Sequence, residues 1–518
     1  MNLAPPSATS NVRATSAFLD ELERSLARID RAVNLANWEF EMGKPVSNLR
    51  GLQASRTRLL TSPGLMEWAR DARARQSSDT LSRRLELIER MALDAKLEQN
   101  PEVARIRNSL YERLHRFKPK LKGRTVTFTE LWDHLWKDAD REVRREAYYA
   151  QDSLFRSMEP GVRRLIQARN EVAKNLGYRG FAEARLGMEK LSPSSLEGIM
   201  DSLPLSRFKE LEKSRKERFH KLTGADGWYP WDETYLHRLE SAGSTHAFPA
   251  QGVVETVLSG VRKWGFRGNA LQFKIIRKPN PYVGSQMAID APKDVRVVVD
   301  PREGSVHYHI LFHEFGHAIH SRSVRGESFL LRNHEFAASF NGLCESIAGL
   351  FEDIPSTANW LRTRAGLSSA EIEKLLTLNG EATAQRISEL TGIVRSELSL
   401  YRDPRVDIRA GLHRSLREAM DYDDFTPRSW VDSFYLDTPL YNKSYLISFI
   451  FGPQVFEAAL RDIGGERWPN PRMGPWLTAK WLRLGAVVDW LPHVREVTGR
   501  PLGTAALIKE LSTKIKEW

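Results

Sequence analysis

The segment HILFHEFGHAIH, residues 309–320, places four histidines and one glutamate within twelve residues. The chain has 13 histidines, and six of them lie within residues 307–334. In this segment His313, Glu314 and His317 form the pattern H-E-x-x-H. On an α-helix His313 and His317 are one turn apart on the same face, so both imidazoles can reach one metal ion.

Glu314 follows the first of these histidines and lies about 100° further around the helix axis. It is therefore off the metal but near it, where it can take a proton from a metal-bound water. A five-residue pattern can also arise by chance on an ordinary amphipathic helix. A short β-rich stretch before the motif, its helix-compatible flanks and a suitable third ligand after it favour a zinc site.

The third ligand is expected among the glutamates downstream, because catalytic zinc has three protein ligands and one open position. The stretch HEFAASFNGLCESIAGLFEDI, residues 334–354, predicts a second helix. On it Glu345 and Glu352 are seven residues apart on one face, with small residues between them that permit close helix packing. We predict that Glu345 binds the metal and that Glu352 contacts a zinc-bound histidine. Glu335 is the alternative ligand.

His309 and His320 extend the same stripe of histidines. One helix cannot bring four imidazoles to one metal ion, because the stripe is longer than the coordination sphere. We interpret His320 and His309 as residues that either support the metal ligands or pack in the core.

Composition indicates a soluble protein with a substantial core. Of 518 residues, 41% are apolar and 28% are charged. The single cysteine, Cys344, excludes an intrachain disulfide framework and fits a reducing compartment. There is no apolar signal segment at the start and no run near the ~20 apolar residues of a spanning helix, so we expect a cytoplasmic protein with no membrane partner.

The net charge of +11 raises the question of a polyanionic partner. The densest basic segment, RFKPKLKGR at residues 116–124, lacks interleaved aromatic residues and matches no nucleic-acid motif. We interpret it as a solvated loop and expect no nucleic-acid partner. No pattern in the sequence specifies an oligomeric state.

Apolar periodicity predicts helices over most of the chain. Between about residue 13 and Tyr178, and again from about 305 to the end, apolar residues recur at helical spacing. Short β-branched stretches predict strands at Leu271–Arg277, Gln286–Asp290 and Asp294–Asp300. The sequence thus predicts a mainly α protein with one small β-sheet, at about residues 270–300, near the metal site.

The metal-site segments resemble a known family. FHEFGHAIH, residues 312–320, resembles the H-E-F-G-H-x-x-H signature of the thimet oligopeptidase and oligoendopeptidase F zinc peptidases. ESIAGLFE, residues 345–352, resembles the segment of that family that begins with its glutamate ligand and favours Glu345 over Glu335. NLANWEFEM and residues 145–178 are similar to the angiotensin-converting-enzyme-like and oligoendopeptidase branches.

The resemblance implies an elongated, two-lobed helical body whose deep central channel has zinc at its floor. Residues 1–150 would form a helical lid region and residues 151–518 the catalytic region, within one continuous peptidase fold. Short, unstructured peptides would be the substrates. The stretch Asp294–Asp300 is expected to be the edge strand along which the substrate backbone lies.

The resemblance also implies tyrosines on a late helix that donate hydrogen bonds to the tetrahedral intermediate. PLYNKSYLISF supplies Tyr441 and Tyr445, one helical turn apart. Tyr445, which precedes Leu-Ile-Ser, resembles the Y-L-W-S segment of the family, and Tyr441 matches less closely. YLDTPL stands where thimet-type members have a glycine- and tyrosine-rich loop.

The expected activity is hydrolysis of peptide bonds with one Zn²⁺ per chain as cofactor, Glu314 as general base and Tyr445, with Tyr441, at the oxyanion. The sequence leaves open endopeptidase, carboxypeptidase and dipeptidyl carboxypeptidase action. The exopeptidases need a cation for the substrate carboxylate, and Lys443, Lys480 and Arg483 are candidates. An alternative of another class is an inactive helical peptide-binding protein with a structural metal.

Overall fold

The structure is a computed structural model that describes residues 5–6, 11–46, 48–280, 282–333, 342–423, 425 and 436–515. Its helices are α1 (Val12–Glu41), α2 (Leu49–Leu60), α3 (Leu65–Arg73), α4 (Asp79–Glu98), α5 (Pro101–Arg116), α6 (Phe128–Lys137), α7 (Arg141–Tyr149), α8 (Asp152–Asn175), α9 (Phe181–Gly187), α10 (Pro193–Asp201), α11 (Leu205–Thr223), α12 (Glu233–Ser241), α13 (Val253–Lys263), α14 (Ser305–Ser323), α15 (Phe329–Arg332), α16 (Gly342–Glu352), α17 (Ala358–Thr363), α18 (Ser369–Arg402), α19 (Ile408–Ala419), α20 (Asn442–Ile463), α21 (Met473–Leu477), α22 (Trp490–Thr498) and α23 (Ala505–Lys514). Its strands are β1 (Lys120–Leu121), β2 (Arg124–Thr125), β3 (Lys274–Arg277), β4 (Gly284–Asp290) and β5 (Asp294–Val299).

Helices make up 69% of the structure, which confirms the predicted mainly α class. Local sequence signals explain several helix starts. Asn11 caps α1 by accepting a hydrogen bond from the Ala14 N–H at 2.9 Å, and Ser368 and Glu371 form a capping box at the start of α18. Within the described ranges, no helix combines the length and apolarity needed to cross a bilayer.

The three-stranded sheet has the order β3-β5-β4. Strand β5 pairs parallel with β3 and antiparallel with β4, with Gln286 opposite Val297. The expectation that Asp294–Asp300 is an edge strand is wrong, because β5 is the central strand and β4 forms an edge. The continuous run of buried valines in β5 fits that central position, since both of its neighbours are strands.

The basic segment at residues 116–124 ends in a tight hairpin and is not only a loop. Strands β1 and β2 pair antiparallel, and the two residues between them, Lys122 and Gly123, have φ values of 49° and 77°. Positive φ at both central residues is the requirement of a type I′ turn, whose twist matches the strands that it joins. Lysine at the first position is unusual there, which is why the sequence pattern did not predict the hairpin.

One buried apolar core extends from Leu19 on α1 to Ile515 just after α23. It therefore includes residues from both sides of the expected boundary at residue 150. Strand β4 contacts both α1 and α14, so the first helix of the chain packs beside the helix that carries the histidine motif.

The motif helix α14 and the glutamate helix α16 pack at very short range. A Cβ atom at Gly316 would lie 3.0 Å from the Ala348 Cα and 2.9 Å from a ring carbon of Phe351. Contacts this short leave no room for a side chain, and one of the contacting atoms is backbone. The glycine inside the H-E-x-x-H motif is therefore a packing requirement of the helix pair.

We predict that Gly316→Ala lowers the free energy of unfolding by about 1–3 kcal/mol, because the added methyl forces the two helices apart. Denaturant unfolding of the purified variant would measure this loss.

Gly198→Ala on α10 is the matched control. That glycine is helical and exposed, and an added Cβ would meet no atom within 4 Å. The control should gain about 0.5–1 kcal/mol from helix propensity alone. Equal stability changes in the two variants would contradict the packing argument.

Candidate metal centre and active site

Three side chains from α14 and α16 converge on one point. The Nε2 atoms of His313 and His317 are 3.0 Å apart. The Oε2 atom of Glu345 lies 3.2 Å from His313 Nε2, and its Oε1 atom lies 3.8 Å from His317 Nε2. One ligand atom from each of the three residues lies within 4.8 Å of the others. The predicted ligand pair and its favoured third member are thus brought together.

The donor set of this cluster fits a divalent cation. Glu345 is 5% exposed, and its Oε2 atom lies 3.2 Å from the Nε2 atom of His313. Burial opposes ionisation of Glu345, yet the charges of His317 and His313 and the hydrogen bonds to His313 and Tyr441 hold its pKa at about 2. Two imidazole nitrogens facing a buried, ionised carboxylate are a typical zinc ligand set.

Glu352 contacts the far side of His313. Its Oε2 atom lies 3.0 Å from His313 Nδ1, and its backbone carbonyl lies 2.9 Å from Nδ1 of His309. Burial opposes protonation of His313, but the hydrogen bonds to Glu345 and Glu352 hold the pKa of the imidazole well above its ordinary value. When the Nδ1–H of His313 donates to Glu352, the Nε2 atom carries no proton and can bind a metal. The hydrogen bond to Glu352 therefore fixes the tautomer that a metal ligand needs.

The other predicted site residues are placed differently. His320 lies on α14 but is 1% exposed and is not among the residues whose ligand atoms converge. It belongs to the buried face of the helix, which fits the packing interpretation. Glu335, the alternative third ligand, lies outside the described residues.

Glu314 lies against the start of edge strand β4. A Cβ atom at Gly284 would be 3.0 Å from Glu314 Cγ, so only glycine lets the strand approach this closely. Burial raises the pKa of Glu314 to about 7, and the nearby Glu345 and Glu41 carboxylates add to the rise. The charge of His313 and a hydrogen bond from the backbone of Gln286 oppose it. A carboxyl group with this pKa exchanges protons readily near neutral pH.

The two predicted tyrosines lie at the start of α20. Tyr441 is the N-cap residue, Tyr445 lies in the first turn, and their ring centroids are 5.3 Å apart. The hydroxyl of Tyr441 donates to Glu345 Oε1, so this tyrosine touches a metal ligand. Burial and the charge of Glu345 raise the pKa of Tyr445, and Glu314 adds to the rise while the charge of Arg386 opposes it. Tyr445 therefore stays a neutral hydrogen-bond donor close to both carboxylates.

One of the three cations that the sequence offered for a substrate carboxylate is already paired. Lys443 is buried in an ion pair with Glu189 at 2.6 Å, with side-chain exposures of 3% and 1%. Lys480 lies in the π-helical turn Thr478–Leu482 and Arg483 directly follows it, and their role stays a prediction.

Sequence patterns missed three groups near Glu314 and Tyr445. The first is Glu41, which lies at the end of α1 and contacts Ser285 of β4. The second is the backbone N–H of Gln286 on the edge strand β4. The third is Arg386, in the middle of α18. Each is far from the motif along the chain, and none carries a local signature. Only the packing of α1, the sheet and α18 around α14 brings them close.

Comparison with known proteins identifies the architecture. No protein-family model matches the sequence, and no curated protein is significantly similar to it. Solved structures do match over nearly the whole chain. The M32 carboxypeptidase from Deinococcus radiodurans R1 has a TM-score of 0.64 at 12% identity, covering 97% of this chain and 99% of that one. The chain has the fold of a metallocarboxypeptidase.

Two further structures agree. The Pyrococcus furiosus carboxypeptidase gives a TM-score of 0.66 at 15% identity, covering 98% of this chain and 100% of that one. Metallocarboxypeptidase 1 of Trypanosoma cruzi gives a TM-score of 0.65 at 14% identity, covering 96% of this chain and 99% of that one. The resemblance to zinc peptidases is thus supported at the level of fold. Membership in the thimet oligopeptidase family stays a prediction.

We predict a graded loss of metal from two carboxylate variants. Glu345→Ala removes one of three ligands and should leave no tightly bound zinc after gel filtration. Glu352→Gln removes only the charged partner of His313 Nδ1 and should weaken zinc affinity about 10- to 100-fold. Metal analysis and competition with a chromophoric chelator would measure both.

Glu327→Gln is the matched control for these changes, since Glu327 is exposed, lies shortly after α14 and is outside the converging cluster. Its zinc affinity should equal that of the parent protein. Unchanged zinc binding in Glu345→Ala would remove this residue from the ligand set.

Proposed function

We propose that this protein is a zinc-dependent metallocarboxypeptidase that removes C-terminal residues from short, unstructured peptides. The observation that carries the proposal is the converging His313, His317 and Glu345 cluster with Glu314 beside it, set in a fold shared with solved carboxypeptidases over at least 96% of the chain. Carboxypeptidase action is preferred to oligopeptidase action because all three compared structures are carboxypeptidases.

His313 and His317 would hold the metal through Nε2, and Glu345 through a carboxylate oxygen. Zinc bound in such a set lowers the pKa of a water ligand toward ~7 and polarises a carbonyl group. Glu352 keeps His313 in the tautomer that presents Nε2, and the Tyr441 hydroxyl fixes the orientation of the Glu345 carboxylate.

Glu314 is the proton carrier of the reaction. In its ionised form it accepts a proton from the attacking water, and it then delivers that proton to the nitrogen of the leaving amine. The water oxygen forms the new bond to the carbonyl carbon, the C–N bond breaks, and the proton count is unchanged at the end. Its pKa, raised by burial to about 7, suits both halves of this transfer.

Tyr445 would donate its hydroxyl hydrogen to the oxygen that becomes negative in the tetrahedral intermediate. The buried phenol stays protonated, because burial and the charges of Glu345 and Glu314 disfavour the phenolate. One such preorganised donor contributes about 2.7–4 kcal/mol to the barrier in other hydrolases. Tyr441 is committed to Glu345, so its part is to position the ligand.

Strand β4 offers the substrate backbone a place to pair. It is an edge strand, and its Gly284 end lies against Glu314. Further along, the Asn34 side chain donates to the Ala288 carbonyl at 3.1 Å, so α1 covers the far end of the edge. An extended peptide would therefore add alongside the first residues of β4, next to the proton carrier.

We predict that Glu314→Gln lowers kcat by about 10²–10⁴-fold, because the amide cannot accept a proton. Zinc content should not change, since Glu314 is not in the converging cluster. Glu303→Gln, at an exposed glutamate just before the same helix, is the control and should be fully active.

The cleavage products distinguish a carboxypeptidase from an oligopeptidase. Mass spectrometry of unblocked peptides of increasing length should show single residues lost in sequence from the C-terminus, and chelator treatment should abolish this. Internal fragments as first products would favour an oligopeptidase, and peptide binding without any cleavage would favour the inactive binding protein.

A further inference from the structure

A buried ion pair joins the start of the tyrosine helix α20 to the turn that follows α9. The Nζ atom of Lys443 lies 2.6 Å from Glu189 Oε1, and the two side chains are 3% and 1% exposed. Lys443 lies in the first turn of α20, between Tyr441 and Tyr445 along the chain. The ion pair therefore restrains the turn of the helix that carries both tyrosines.

The same carboxylate also touches the ligand helix α16. A Cβ atom at Gly342, the first residue of α16, would lie only 2.6 Å from Glu189 Oε2. The carboxylate thus packs directly against the helix backbone, at a position where only glycine leaves it room. Glu345 follows Gly342 by three residues, so the contact lies in the same helical turn as the proposed metal ligand. One carboxylate therefore contacts the starts of both helices.

The turn that carries Glu189 is itself well defined. The N–H of Leu191 donates to the carbonyl of Leu186 at 3.1 Å. The N–H of Lys190 donates to the carbonyl of Gly187 at 3.0 Å, and Lys190 has a φ of 59°. These two bonds around a left-handed residue form a Schellman motif, which ends α9 at this point. The backbone therefore holds Glu189 in place before its side chain makes any contact.

A second buried carboxylate holds the chain on the other side of Tyr441. Glu397 of α18 is 1% exposed and accepts a hydrogen bond from the Leu440 N–H at 2.7 Å. Leu440 has a φ of 63°, a backbone conformation that leucine rarely adopts and that persists only where its surroundings enforce it. Tyr441 thus lies between two anchored positions, Leu440 and Lys443.

This anchoring bears on the chemistry because the two helices must be aligned with each other. The Tyr441 hydroxyl on α20 donates to Glu345 on α16. A shift of about 1 Å in a catalytic group can slow a reaction about 100-fold. A buried ion pair adds little net stability compared with apolar side chains of the same size. Its two charges do give a preferred direction, which an apolar contact lacks.

We propose that Glu189 is a positioning residue that aligns the tyrosine helix with the ligand helix. Its carboxylate, paired with Lys443 and packed on Gly342, holds the Tyr445 hydroxyl where it reaches the oxyanion of the tetrahedral intermediate. The proposal rests on the peptidase function proposed above. Glu189 acts through Tyr445, and it is not among the three residues whose ligand atoms converge.

The test removes both charges together, by Glu189→Leu with Lys443→Met. The apolar replacements leave no buried charge unpaired, so the protein should stay folded. With the zinc-loaded enzyme and N-acylated Ala-Phe as substrate, kcat should fall about 10- to 100-fold while KM stays within about twofold. Zinc content should equal that of the parent, because all three ligands remain.

A combination with Tyr445→Phe separates positioning from general support of the fold. If Glu189 acts through the Tyr445 hydroxyl, removal of the ion pair from Tyr445→Phe should lower kcat by less than about twofold. A structural role would instead lower kcat by the same factor in both backgrounds. The four kcat values form one double-mutant cycle.

Arg500→Met with Glu457→Leu is the matched control. This ion pair has a distance of 2.5 Å and exposures of 46% and 34%, and Glu457 lies on α20 about three turns after Tyr445. Its kcat and melting temperature should equal those of the parent. Gly342→Ala is a second test, for which the double variant need not fold. The added methyl would displace the Glu189 carboxylate without removing a charge, and kcat should fall in the same Tyr445-dependent way.

The outcomes separate the two proposals. A parent enzyme that does not cleave N-acylated Ala-Phe contradicts the carboxypeptidase function and this inference with it. An active parent whose kcat survives removal of the ion pair overturns the role of Glu189 alone. A loss that multiplies with that of Tyr445→Phe, or a loss seen only in KM or zinc content, also overturns it. Full kcat in Tyr445→Phe would do the same, because Glu189 would then have no hydroxyl to position.

Discussion

The site depends on how closely α14 and α16 approach each other. At Gly316 the backbone of one helix touches the other, and this short separation is what sets the Glu345 carboxylate 3.2 Å from an imidazole on the neighbouring helix. The packing of the two helices and the geometry of the candidate metal site therefore depend on the same contact.

Burial then gives each acidic group around that contact a different state. Glu345 stays ionised because two imidazoles and a tyrosine hydroxyl surround it, whereas Glu314 is held near a pKa of 7 by its apolar surroundings and its acidic neighbours. Tyr445 remains protonated for the same reasons. The roles proposed for Glu345, Glu314 and Tyr445 thus depend on position in one small buried region and not on residue type alone.

The parts of the chain around this centre supply what a peptide would need. Strand β4 brings an edge of the sheet to Glu314, α1 covers the far end of that edge, and the charge of Arg386 on α18 acts on Tyr445. These elements are distant in sequence, but one continuous core packs them around the motif helix. The surroundings of the metal, more than the metal ligands, would decide which peptides are cleaved.

The sequence by itself predicted the mainly α class, the small sheet and the candidate ligands His313 and His317, because helical periodicity and the spacing of a metal motif are local properties. The resemblance to a known family then favoured Glu345 as the third ligand. The sequence could not tell that Asp294–Val299 is the central strand, since strand order depends on pairing across the sheet. Likewise, Lys443 looked like an available cation until packing placed it against Glu189. Only the tertiary structure decided that Arg386 and Glu41 lie near the site, because contacts between distant segments arise from the joint packing of many helices and leave no local pattern to read.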